Sequence, residues 1–399
     1  MASGVGLWAC AAPNVPLSAQ NEAEVARTNP SLVDAFAFER WASETTSPRA
    51  IEAEASLSWL QDRCGSADAA LQAVANRLAA HTAFGARPDD LDRITFGLRA
   101  SGSPYVWPRA WRLHDSEHLE AKAVLGSFER WLESFKDEGE RRCGVSVSYT
   151  GGQATYAAIV SDVVADLSRP LPTRVRTGQW LELRVKLLRE ASDAKVVLAG
   201  ARHEPAFFPA SIVHGEVLAR FPIKAPGPWL IQVLASMDTG PRPVIDAQVF
   251  ADMEPPKTLE WQAAPGESAS SQGQDLAESL FTMLNAARVE EGRKPLSRDA
   301  RLDRIANEHA LAMLRAGHTG HDVGDGSTRM RLENAGIATA LAAENVARAA
   351  DTPRAHRNLW ASPSHRSNIL HRGFRNVGLG VVRGPDNTVW ACELFAALD

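Results

Sequence analysis

The sequence predicts an α+β multidomain protein: a helical N-terminal unit, an all-β middle, and a C-terminal unit of helices closed by a hairpin. Three observations carry that expectation. The chain has 399 residues, too long for one ordinary core. Its apolar periodicity changes from helical to alternating near residue 169. A Pro-, Gly- and Ser-rich stretch at 254–274 then separates the alternating region from a second helical one.

The first unit spans residues 30–168. Segments 51–60, 69–80 and 119–135 repeat apolar residues at three- and four-residue spacing. Two strands follow at 143–149 and 155–161, joined by Gly151-Gly152. Residues 169–253 hold short runs rich in β-branched and aromatic residues, at 180–187, 195–199, 216–221, 229–235 and 244–250. Gly and Pro punctuate them, so the middle unit reads as a β-sandwich of immunoglobulin-like architecture with Trp180 and Trp229 in its core. Residues 254–274 have the composition of a flexible linker.

Residues 275–399 begin with a helix whose apolar face holds Leu276, Leu280, Met283, Leu284 and Ala287. A second helix carries Leu302, Ile305, Ala306, His309, Ala310 and Met313, and Gly317 closes it. His309 has apolar neighbours three and four residues away, which predicts a hydrogen-bonded core histidine. The loop 317–328 is Gly-rich and contains His318 and His321, but its oxygen donors do not have calcium-loop spacing. Ser362-Pro363 opens the turn bearing His365, and strands 377–382 and 388–395 form a terminal hairpin.

Composition excludes some partners. With 43 basic and 48 acidic residues the net charge is −5, so nothing favours nucleic acid or anionic lipid. No apolar run has the length of a transmembrane helix. Leu7-Trp8-Ala9-Cys10 resembles the end of a bacterial lipoprotein signal, with Trp8 where a small residue is usual. A lipid anchor at Cys10 on a signal shortened by a late start codon is one reading of residues 1–29, and a disordered tail is the other. The cysteines at 10, 64, 143 and 392 make no C-x-x-C pair. Cys64 and Cys143 are candidates to pair if Cys10 is lipidated, leaving Cys392 free. Sequence alone does not fix that pairing.

Five segments of the C-terminal unit carry a resemblance. They are Leu284-Asn285-Ala286-Ala287-Arg288, Gly292-Arg293-Lys294-Pro295-Leu296, His321 with Asp325-Gly326-Ser327-Thr328, Ala343-Glu344-Asn345-Val346, and Trp360 through His365 to Leu370. In order and spacing they are similar to the bacterial SCP-like branch of the CAP superfamily (cysteine-rich secretory protein, antigen 5, pathogenesis-related class-one). Gly378-Leu379-Gly380 and the Trp390 strand extend the match to about 120 residues. The resemblance implies an α-β-α sandwich whose cleft is lined by His321, Glu344 and His365. Ala343 stands where the family usually has Gly, Pro363 replaces the second acid of the eukaryotic pattern, and His318 is an extra histidine.

Two imidazoles and a carboxylate suit zinc, with a water in the fourth position. The same groups equally suit a metal-free hydrogen-bond network. The reading is an extracytoplasmic protein — secreted, periplasmic or envelope-anchored — with a non-catalytic cleft for a divalent metal or a lipid or peptide ligand. The alternative is a zinc-dependent hydrolase at the cell envelope. A Gly-x-Ser-x-Gly elbow is absent from the sequence, and Cys392 alternates with Trp390 and Leu394 as a buried strand residue does. The segment 143–147 can be laid against 377–381, so the N-terminal unit also reads as a degenerate CAP-like copy without a matching His/Glu/His series. His114 and His118 there lie in a charged stretch.

Overall fold

The computed structural model describes residues 37–52, 54–80, 91–115, 119–135, 139–201, 204–237, 240–259, 262–271 and 273–398. Cys10 and His118 lie outside them. The described chain mixes helices and sheets in three successive units.

In the first, β1 (Glu44–Thr45), α1 (Ser58–Cys64), β2 (Ser66–Ala67), α2 (Ala69–Ala80), α3 (Leu91–Ala100), β3 (Arg109–Asp115), α4 (Ala121–Glu133), β4 (Glu140–Thr150) and β5 (Gln153–Val163) follow in order. Strands β2-β4-β5-β3 form one sheet with apolar residues on both faces. Leu60, Val124, Phe128 and Leu132 of α1 and α4 cover one face; Leu71, Val74, Leu78, Ile94 and Leu98 of α2 and α3 cover the other. The helix expected at 51–60 begins only at Ser58, after a short 3-10 turn at Ala55–Leu57. A disulfide joins Cys64 at the end of α1 to Cys143 in β4.

The middle unit contains β6 (Ala165–Leu167), β7 (Leu171–Pro172, paired with β1), β8 (Arg174–Val175), β9 (Trp180–Leu187), β10 (Asp193–Ala199), β11 (Ala206–Pro209), β12 (Ser211–Val213), β13 (Glu216–Pro222), β14 (Gly227–Met237) and β15 (Gly240–Ala251). Sheets β11-β10-β14-β15-β8 and β12-β13-β9-β6 share one apolar core, including Leu183, Val185, Val196, Phe221, Ile231 and Ile245. Trp180 departs from expectation. The pleat turns Leu181, Leu183 and Val185 inward, so Trp180 faces out at 60% exposure, with Arg220 over its ring. Trp229 is partly buried against the core and donates its indole N–H to the Ala225 carbonyl.

The segment at 254–274 is also not a free tether. Pro256 accepts a hydrogen bond from the Trp41 indole, and Ala264 is buried in the C-terminal core. Pro265 accepts one from His356 Nε2 at 2.8 Å, and Glu267 pairs with Arg357. Its Pro/Gly composition predicts only the lack of regular structure, and the carbonyls and one carboxylate fix it to neighbouring units.

The C-terminal unit runs α5 (Leu276–Glu290), β16 (Ser297–Arg298), α6 (Ala300–Ala316), α7 (Thr328–Asn334), β17 (Ala342–Ala349), α8 (Thr352–Ala361), α9 (Pro363–Leu370), β18 (Asn376–Arg383) and β19 (Val389–Ala396). Local chemistry sets the helix ends. Asp275, Asp299, Ser327 and Asp351 cap the N-termini of α5, α6, α7 and α8 through their side chains. Sheet β16-β18-β19-β17 carries α5 and α8 on one face, with Met283, Leu284, Leu359, Val377 and Phe395, and α6 and α7 on the other, with Leu302, Ile305, Leu332, Cys392 and Leu394. Helix α6 lies directly on β18. A Cβ at Gly378 would fall 2.1 Å from the Leu302 carbonyl carbon, so only glycine permits that approach.

Among the described residues no helix is long and apolar enough to cross a membrane.

Candidate functional site

Glu344 lies on β17, its side chain aimed under the loop that leads from α6 to α7. It is 6% exposed. Its Oε1 accepts a hydrogen bond from His321 Nδ1 at 2.9 Å, and its Oε2 accepts one from Arg331 Nη2 at 2.5 Å. His309 Nε2 lies 3.6 Å from Oε1, and Cys392 Sγ lies 3.7 Å from Oε2. Burial alone would raise this carboxyl; the hydrogen bond from His321 and the charges of His309 and Arg331 together hold it below the usual carboxylate range. The anion therefore has its cation beside it.

Arg331 ties the loop together. Besides Glu344 it donates to the carbonyls of His321 and Gly326, while Asp325 Oδ1 stands 3.4 Å from its Nη1. Asp325 in turn holds His309 Nδ1 at 2.7 Å, and His309 Nε2 meets the Gly320 carbonyl at 2.9 Å. The expectation of a hydrogen-bonded core histidine at 309 thus agrees with these contacts. Sequence reading did not reveal that His309, Asp325 and Arg331 adjoin Glu344. Arg331 reaches it across 13 residues of chain, a contact with no periodic signature.

His321 is partly exposed at the cleft. In the tautomer whose Nδ1–H donates to Glu344, Nε2 carries the lone pair. His365, on α9, is half-buried and close enough to His321 for the two rings to interact electrostatically. Burial and the adjacent His321 push its imidazole down to about 3, so it is neutral at physiological pH. Among the described residues no hydrogen bond joins the His365 ring to His321 or Glu344. Asparagine side chains connect α9 to β17: Asn368 Nδ2 donates to Asn345 Oδ1 at 2.9 Å, and Asn345 Nδ2 donates to the His365 carbonyl at 3.2 Å. His318 stays outside, its Nδ1 near the Ala316 carbonyl.

Helix α9 has no side-chain cap of its own, and the middle unit supplies partners. Gln232 Oε1 accepts from the Ser364 N–H at 3.3 Å, and Arg366 donates to the Gly200 carbonyl at 2.7 Å. The turn bearing His365 is held from outside its own domain.

Asn345 Nδ2 also donates to Glu393 Oε2 at 2.9 Å, while Glu393 Oε1 has no hydrogen-bond partner among the described residues. Burial raises Glu393 to about 7 against the lowering effect of Asn345. A carboxyl raised in the folded state binds more protons folded than unfolded. Its contribution to stability is therefore full below its ordinary value of 4.5 and is lost as pH rises to about 7. We expect this one group to remove up to about 3 kcal/mol between pH 4.5 and 8. Glu393→Gln should flatten that part of the stability profile. Urea midpoints measured across this range check it, and parallel curves for both proteins would refute it.

The donor set favours one arrangement around a metal. Both Glu344 oxygens are taken by His321 and Arg331, so Glu344 fits as the group that orients an imidazole rather than as a third ligand. His321 Nε2 and the neutral His365 are the nitrogens left to bind. Among the described residues no cluster of three ligating side chains occurs.

The C-terminal unit thus has helices on both faces of a four-stranded sheet, with Glu344 and its partners beside β17. Residues 281–394 match the family described as "Cysteine-rich secretory protein family", the CAP family. The C-terminal region of this chain is a bacterial-type CAP domain. Among relatives, "Uncharacterized protein YkwD" of Bacillus subtilis (strain 168) is 30% identical over 130 residues, 32% of this chain and 50% of that protein. The chain thus spans about half the length of the curated relative it matches. An outer surface protein from Borrelia burgdorferi is similar at 19% identity and TM-score 0.29, covering 31% of this chain and 92% of its own. An extracellular protein containing a SCP domain from Bacillus anthracis str. Ames is similar at 14% identity and TM-score 0.29, over 52% and 87%.

Proposed function

We propose that this is an extracytoplasmic binding protein whose C-terminal CAP cleft takes a divalent metal, or a lipid or peptide ligand, without catalysing a reaction. One observation supports the reading most: Glu344 is buried and fully engaged by His321 and Arg331. A carboxylate so held orients an imidazole but is not placed to take a proton from a metal-bound water. Pro363, at the position where the eukaryotic pattern has its second acid, supplies no replacement. If zinc binds, His321 Nε2 and His365 hold it, and the metal supplies Lewis acidity to whatever ligand completes its shell. The neutral state of His365 keeps its lone pair available at physiological pH.

The Cys64–Cys143 disulfide supports an oxidising compartment. In this reading the chain is secreted, periplasmic or anchored through Cys10, and the middle unit is an immunoglobulin-like spacer that also braces α9. The hydrolase alternative needs a base in the cleft, which the engagement of Glu344 disfavours.

Titrating zinc into the full chain tests the metal reading. Wild-type protein should take up the ion at the cleft, and the His321→Ala/His365→Ala variant should lose that uptake. Equal uptake by both proteins, or none by wild type, would remove zinc from the proposal. Zinc-dependent turnover of an ester or peptide, abolished in the same variant, would favour the hydrolase.

A further inference from the structure

The N-terminal and C-terminal units repeat one topology. Sheet orders are β2-β4-β5-β3 and β16-β18-β19-β17. In each, a two-residue strand pairs parallel with the first hairpin strand, and the remaining strand pairs antiparallel with the second. Each two-residue strand enters a helix through an aspartate cap: Asp68 Oδ1 accepts from the Ala70 and Leu71 N–H groups, Asp299 Oδ1 from those of Arg301 and Leu302. Each aspartate also donates its own N–H to the first hairpin strand, Asp68 to the Cys143 carbonyl at 3.0 Å and Asp299 to that of Val377 at 3.1 Å. One turn later Gln72 Oε1 accepts from the Val145 N–H at 3.2 Å, and Asp303 Oδ1 from that of Leu379 at 2.8 Å. Gly144 abuts the Leu71–Gln72 backbone as Gly378 abuts Leu302. Unrelated α+β units would not share a cap, two cross-links from helix to strand and a glycine contact in one register.

We infer that residues 58–163 are a second CAP-type unit in which the residues at the positions of Glu344, His309 and Cys392 are apolar. The paired registers assign the replacements. Glu344 and Gly378 both face Leu394 in register, as Ala110 and Gly144 both face Ile159. Ala110 therefore occupies the position of Glu344, and Ala157 that of Cys392. Counting along the helix from Asp68 and Asp299 sets Leu78 at the position of His309. Leu78, Ala110 and Ala157 lie together in one apolar cluster with Leu71, Ile94 and Leu98. Between β3 and β4 the described residues hold the one helix α4, where the C-terminal unit has α8 and α9, so His365 is assigned no counterpart. The counterpart of the His321 loop lies outside the described residues and takes no part in the assignment.

A carboxylate at 344 is tolerated because His321 and Arg331 meet it; at 110 it would enter an apolar core. This gives a test in the full chain, followed by fluorescence-detected urea unfolding. Ala110→Glu should lower the midpoint of the N-terminal unit. Adding Leu78→His, which rebuilds the His309–Glu344 pair, should give a double variant that loses less than the two single variants combined. A double variant no better than the two single losses combined would overturn the inference. Should Ala110→Glu fail to fold, Gly144→Ala and Gly378→Ala serve instead. Both should be destabilised at their matched helix contacts, and a Gly144→Ala protein as stable as wild type would overturn the equivalence.

Discussion

Glu344→Ala is expected to cost the C-terminal domain about 3–5 kcal/mol, the loss seen when one partner of a buried ion pair is removed. The Arg331 guanidinium, 8% exposed, would keep its bonds to the His321 and Gly326 carbonyls and the more distant Asp325, but lose its closest anion. His321 would lose the acceptor that fixes its tautomer. Glu344→Gln keeps the shape without the charge and should fall between wild type and Glu344→Ala. The pH dependence has a definite sign. Because Glu344 is held below the usual carboxylate range, its contribution is present above its ordinary value of 4.5 and is lost as pH falls through the lowered folded value. The gap between wild type and Glu344→Gln should therefore be widest near pH 7 and close in acid. Urea unfolding at pH 7 and pH 3 measures both, and a Glu344→Ala midpoint equal to wild type would contradict the buried pair.

The second large effect is expected from the Cys64–Cys143 disulfide, whose ends are 79 residues apart. Closing a loop of that size restricts the unfolded chain by about 4 kcal/mol on the loop-entropy account. Cys64→Ala/Cys143→Ala should unfold at a correspondingly lower urea midpoint than the oxidised protein. Reductant should lower the wild-type midpoint and leave the variant unchanged. Cys392 serves as an internal control, since burial raises its thiol well above the ordinary value and the strand β19 encloses it. A wild-type midpoint indifferent to reductant would show that the cross-link contributes nothing.

The parts of this fold written in local chemistry were readable from sequence. The Gly-rich loop and the Glu344-Asn345 and Ser362-Pro363 motifs act within a few residues, and their order carried the CAP resemblance. The middle strands were placed by alternation, but Trp180 was not. Its size suggested a core position, while the pleat, set by Leu181, Leu183 and Val185, turned it outward. Composition likewise misread 254–274, because backbone carbonyls bind there regardless of side chain. In the site, His321 and Glu344, which the motifs name together, are joined by a hydrogen bond of 2.9 Å. Arg331, Asp325 and His309 escaped because charged and hydrogen-bonding reach across loops leaves no period in sequence. The repeated topology was visible only at 143–147 against 377–381, where backbone packing demands a glycine at 144 and 378. Elsewhere the two cores differ in side chains and agree in hydrogen-bond register.

The anchoring of 262–271 has a practical consequence for anyone who cuts this chain. A fragment starting at Asp275 would discard Ala264 from the interior, the Pro265 acceptor for His356 and the Glu267 partner of Arg357. His356 is fully enclosed, and burial already lowers its basicity, so its Nε2 would be stranded without an acceptor. The natural start of the last folding unit therefore lies some dozen residues upstream of its first helix, inside what composition alone would discard as tether.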